Sequence, residues 1–188
     1  MLDFPSLWTT ALPYHAFVAA STAHCGLWVG VHKFARLPEW SNGLDLGASP
    51  RQLLVLAEDW CGDASNTIPV LAKLVEAVPG LELRVLRRDE HPEVMDRYLT
   101  NGSRSIPIVI ALDADFRELG HWGPRPAELQ AWVMANKDSM PKAELYPQAR
   151  TWYARDRGDS TLREVLAIAT GSVIPAPAPA PAPTPAPA

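Results

Sequence analysis

The chain has 188 residues and a formal net charge of −4, enough for one domain with a real core plus extensions. That balance supplies no bulk basic field for nucleic acid or an anionic membrane, and the small basic clusters at Arg87-Arg88, Arg155 and Arg157 are interleaved with acids and read as solvated loops. Two cysteines, Cys25 and Cys61, exclude a secreted disulfide framework. The first residues lack a basic leader region, and the apolar stretch 11–31 is broken by Pro13, His15, Thr22 and His24, so a reducing cytoplasm is the expected setting.

Residues 1–48 read as an N-terminal helical extension. Apolar residues recur at helical spacing from Ala16 to Ala35, with Phe17, Cys25 and Trp28 near one face. Pro13 is placed to open that helix and Leu37-Pro38 to close it. Strand and helix then alternate over 49–137. Leu53–Ala57 is a continuous apolar run, as expected of a strand covered on both faces. Helical spacing follows from Cys61 to Ala77, with Pro69 inside it as a kink. Further strands are expected at Leu81–Leu86, Ile108–Leu112 and Phe116–Trp122. A short helix opens at His91-Pro92, and another runs from Pro126 to Ala135 with Leu129, Trp132 and Val133 inward. Residues 138–172 read as a C-terminal helical extension in which Thr161-Leu162-Arg163-Glu164 has the form of a capping box. The alternating Ala-Pro stretch over 173–188 has the composition of an extended, solvated tail.

Between the first apolar strand and its helix lies Trp60-Cys61-Gly62-Asp63-Ala64. A thiol placed there meets the unpaired N–H groups and positive dipole of a helix start, which favour the thiolate. Glu58, Asp59 and Asp63 oppose this. Ser65, one turn on, is a candidate donor to the sulfur, and the expected balance is a modestly lowered thiol pKa. Asp63 is placed either to tune the thiol or to stabilise the first helical turn. Trp60 either screens one side of the sulfur or simply packs.

With Pro69 eight residues after the cysteine, Ser105-Ile106-Pro107-Ile108 before the third strand, and Gly120 or Gly123 late in the segment, residues 50–137 resemble the thioredoxin-like superfamily. The resemblance implies an α/β fold: a central mixed sheet of about four strands flanked by helices, here with helical extensions at both ends. It implies that the peptide before Pro107 is cis, that Pro107 lies beside the attacking sulfur, and that the backbone of Ile106 pairs with an extended substrate. Trp60, Gly62 and Asp63 complete the expected substrate-binding set.

Family members usually read Trp-Cys-Gly-Pro-Cys. Here Asp63 replaces the proline and Ala64 replaces the resolving cysteine, so the chain is atypical and of monothiol type. Cys61 is the expected catalytic attacker. Cys25 is an alternative resolving thiol if the N-terminal helix lies beside the motif, and an ordinary structural cysteine otherwise. The histidines at 15, 24, 32, 91 and 121 are dispersed and make no ligand pattern with Cys61, so neither a metal nor a resident cofactor is expected. Two functions follow. One is a thiol–disulfide oxidoreductase acting on protein disulfides or protein–small-thiol mixed disulfides, resolved by an external low-molecular-weight thiol or a reductase. The other is a redox-inactive module that binds a protein partner. Oxidation of Cys61 by peroxide to a sulfenic acid is a weaker third reading.

Overall fold

The computed structural model describes residues 2–172; the Ala-Pro stretch lies outside them. The chain opens with helix α1 (Phe4–Thr10), strand β1 (Leu12–Pro13), and helices α2 (Tyr14–Ala19) and α3 (Cys25–Phe34). Then come β2 (Arg51–Ala57), α4 (Gly62–Ala77), β3 (Leu81–Arg87), α5 (Pro92–Met95), β4 (Ile108–Leu112) and β5 (Glu118–Trp122). Helices α6 (Ala127–Asn136), α7 (Lys142–Asp156) and α8 (Asp159–Thr170) complete it.

The sheet has the order β1-β3-β2-β4-β5. β2 and β3 run parallel, and the other neighbours are antiparallel. Leu53–Ala57 in β2 and the whole of β4 are buried, which is why their sequences are unbroken apolar runs rather than alternating ones. The expected four strands are all present. The fifth, β1, is a two-residue edge strand from the N-terminal extension, too short to leave a periodicity.

α4 packs on β3, α8 packs on β4 and β5, and the two helices touch each other, so they form one helical layer over the sheet. α8 therefore comes from the C-terminal extension to cover the sheet. α6 instead packs against α7: Leu129 and Val133 meet Leu145, Ala149 and Tyr153 in a cluster separate from the main core. The α7–α8 turn is pinned to α4 at Gly158, where φ is +85° and a Cβ would run into the Val70 side chain.

Two sequence expectations are corrected. The single helix over 16–35 is broken into α2 and α3. The backbone N–H groups of Thr22 and Ala23 donate to the Asp59 carboxylate at 2.6 and 3.1 Å instead of to helical carbonyls, and His24 takes a left-handed φ of 52°. The capping box is not formed, because α8 already begins at Asp159 with Gly158 as its cap. The Glu164 carboxylate accepts the Trp122 indole N–H at 2.6 Å and the Ala127 N–H at 3.0 Å. It thereby ties α8 to β5 and satisfies an orphan donor at the start of α6. Among the described residues, no helix is long and apolar enough to cross a membrane.

Candidate active site

β2 ends at Ala57, and the chain turns through Glu58–Trp60 into the cap of α4. Cys61 is the N-cap residue, with extended backbone (φ −79°, ψ 115°), and its sulfur accepts the Ala64 N–H at 3.4 Å. The thiol also donates to the Ile106 carbonyl oxygen at 3.4 Å. The Ile106–Pro107 peptide is cis, and Pro107 is buried behind Ile106. Gly123, with φ +129°, allows β5 to lie against the Pro107 carbonyl, where any Cβ would clash.

The thiol is 7% exposed. Burial pushes its pKa up to about 11, with the Asp63 charge adding to the rise; the Ala64 N–H, the Asp63 N–H and Arg125 only partly offset this. The expected lowering is thus reversed, because the helix start is not open to water. Ser65 does not reach the sulfur either, since its hydroxyl donates to the Gly62 carbonyl at 3.0 Å.

Asp63 answers to residues far along the chain. Its carboxylate pairs with Arg125 at 2.5 Å and accepts the Tyr153 hydroxyl at 2.9 Å. Burial, followed by the Asp63 charge, pushes the Tyr153 phenol above its ordinary range, so it remains a donor. Asp59, on the other side of Cys61, is 5% exposed. Burial works against its charge, yet the Thr22 and Ala23 donors hold its carboxyl below the usual range. The Asp59 carbonyl accepts the Trp28 indole N–H at 2.9 Å.

Cys61 opens onto a cleft of about 480 Å³. Trp60, Gly62 and Asp63 line it beside the cysteine, and Arg104, Ser105 and Ile106 approach from the β4 side. Tyr146, Ala149, Arg150 and Tyr153 of α7 form the facing wall. Trp60 is 46% exposed, with the Arg88 guanidinium 4.9 Å over its ring. Arg88 is therefore part of the site and not of a solvated loop. Glu58 places it by accepting the Asp89 N–H at 2.8 Å.

Cys25 is half-buried, and its thiol points to the Ser21 carbonyl at 3.2 Å. Its neighbours His24 and Leu27 line the cleft, but Cys25 does not. Both cysteines are free thiols. The structure thus brings Cys61, Trp60, Gly62, Asp63 and Ile106 to one cleft, with Pro107 behind. Arg125 and Tyr153 had no local signature, since their roles depend on contacts with Asp63 sixty-two and ninety residues earlier, and Arg150 joins them only by lining the cleft.

A strand–cysteine–helix unit facing a cis-proline is the frame the sequence resemblance implied, and a family model described as Thioredoxin matches residues 31–142. The chain belongs to the thioredoxin family. No curated protein matches it. Among solved structures, this thioredoxin-family protein is similar to a protein of unknown function from Pseudomonas aeruginosa, with a TM-score of 0.70 at 24% identity. It is also similar to an HIV epitope-scaffold, with a TM-score of 0.65 at 21% identity. Each alignment covers 91% of this chain and 99% of the other. Those spans exceed the family match, so the flanking helices belong to the shared fold.

Proposed function

We propose that the protein is a monothiol thiol–disulfide exchanger that acts on mixed disulfides containing a small thiol. The observation that carries this reading is the opening of Cys61, with no second cysteine in its motif, onto a cleft of small-molecule size beside the Ile106 carbonyl. In the first step Cys61 loses its proton to solvent, and its thiolate attacks the small-thiol sulfur of P–S–S–R. The S–S bond breaks, Cys61–S–S–R forms, and P–S⁻ leaves and takes up a proton. A second small thiolate then attacks the R sulfur, releasing R–S–S–R′ and returning Cys61 to the thiol. The net reaction, P–S–S–R + R′SH → P–SH + R–S–S–R′, consumes one external thiol and needs no resident cofactor. Because the Cys25 thiol donates to the Ser21 carbonyl and does not line the cleft, an external thiol is the simpler resolver.

A thiol of pKa about 11 is ionised at pH 7 to roughly one part in 10⁴, against a few per cent for an ordinary thiol. The more basic thiolate recovers about tenfold in nucleophilicity. The net loss is roughly 30-fold, which holding the disulfide in place readily offsets. The same basicity makes Cys61 a poor leaving group, so the mixed disulfide is expected to persist.

The raised pKa also favours a second reading, a redox-inactive domain that binds a protein through the same groove. Insulin reduction with dithiothreitol, run beside reduction of a peptide–small-thiol mixed disulfide, separates the two. Exchange predicts turnover of the mixed disulfide and little with insulin. Silence in both, with Cys61 still open to alkylation, would select the binding module.

A further inference from the structure

Resting on the exchange reading above, we propose that α7 makes the cleft selective for a small thiol carrying an anionic group, with Arg150 as the receiving cation. Tyr146, Ala149, Arg150 and Tyr153 are spaced three, one and three residues apart, which puts them on one helical face, and that face is the cleft wall opposite the motif. The wall is fixed in place. Tyr153 is held by Asp63, and Leu145, Ala149 and Tyr153 pack into the α6–α7 cluster. A folded protein's extended strand therefore meets a wall where a small thiol half meets a pocket.

The charge of the cleft is opposite to that of the chain. Four arginines line it (Arg88, Arg104, Arg125 and Arg150) against one acid, Asp63. Three of them are already paired: Arg88 with Asp89, Arg104 with Asp96, and Arg125 with Asp63. Arg150 has no hydrogen-bond or ion-pair partner among the described residues, and the buried Nε of Arg125 also has none. Counting the paired acids, the cluster keeps one positive charge in excess. Trp60 and Tyr146, 46% and 49% exposed, flank the opening and offer apolar contact to the carbon part of the same ligand. A carboxylate or phosphate a few bonds from the reacting sulfur completes this set. A cationic thiol would be repelled.

The test uses three symmetrical disulfides of similar length and different charge, those of 3-mercaptopropionate, 2-mercaptoethanol and cysteamine. The rate of adduct formation on Cys61 is followed by intact mass and peptide mapping. Each rate is divided by that of an uncharged reference thiol with the same reagent, which removes leaving-group differences. The expected order is anionic, then neutral, then cationic, with about threefold between steps, and added salt should flatten it. Arg150→Gln should lower the anionic-to-neutral ratio about threefold, and Arg150→Lys should retain most of it. Equal normalised rates for all three reagents, or a ratio unmoved by Arg150→Gln, would overturn the proposal while leaving exchange intact. Failure of all three to modify Cys61 would remove the exchange reading and this selectivity with it.

Discussion

Asp59 and Asp63 stand two residues to either side of Cys61, and each fastens one flanking segment to the motif. Asp59 holds the N-terminal segment through two backbone N–H groups, Thr22 and Ala23. Asp63 holds the C-terminal segment through side chains, Arg125 and Tyr153. Only Asp63 also raises the pKa of Cys61. Two residues of one type at mirror positions thus divide the work, one anchoring structure and the other both anchoring and setting the charge state of the sulfur. What separates them is placement. Asp63 sits in the first turn of the helix that Cys61 caps, and its charge is felt at the thiol despite Arg125, whereas the Asp59 carboxylate is turned to Thr22 and Ala23.

The largest effect is expected at the sulfur between the two acids. Cys61→Ala should abolish mixed-disulfide turnover to background while leaving the circular-dichroism spectrum unchanged. Turnover surviving in that variant would transfer the chemistry to Cys25. Asp59→Ala comes next. It leaves the Thr22 and Ala23 N–H donors, which are only part-buried, without their carboxylate and should cost about 2 kcal/mol in urea unfolding, with the pH profile of Cys61 alkylation unmoved. The sign of its pH dependence follows from its lowered pKa. The contribution is present above the unfolded carboxyl value of about 4 and is lost as pH falls through the folded value. The stability gap between wild type and Asp59→Ala should therefore close in acid.

Asp63→Asn sharpens the contrast. It removes a negative charge and leaves Arg125 to act on the thiol, while the amide oxygen still accepts from Tyr153. Cys61 should titrate about one pH unit lower and alkylate roughly threefold faster at neutral pH, with stability changed by less than in Asp59→Ala. Tyr153→Phe should have the smallest effect, about 1 kcal/mol in unfolding free energy, since Arg125 still holds the carboxylate.

The apolar runs 53–57 and 108–112 told where the central strands lie because burial on both faces leaves no room for polar residues. Cys61 and Pro69 were legible from local backbone, a helix start and a helix interior, while the cis peptide before Pro107 was expected from the family resemblance. What stayed hidden is contact over long sequence distance. Nothing near Tyr153 announces that its hydroxyl meets Asp63 ninety residues earlier, and Thr161-Leu162-Arg163-Glu164 carried a valid local signal that Glu164 gives up for Trp122 and Ala127. The direction of the Cys61 shift was hidden for the same reason. The helix start and the neighbouring acids can be read from sequence, but the burial that dominates comes from tertiary packing, since Cys61 lies within the main core cluster.

Burial lifts the pKa of the lone motif thiol well above that of an ordinary cysteine. The direct test is the rate of iodoacetamide alkylation at Cys61, followed by peptide mass against pH in the wild-type chain. A rise of about tenfold per pH unit is expected from pH 7 to 10, bending near the value of about 11. A plateau reached by about pH 8.5, the value of an unperturbed thiol, would contradict it.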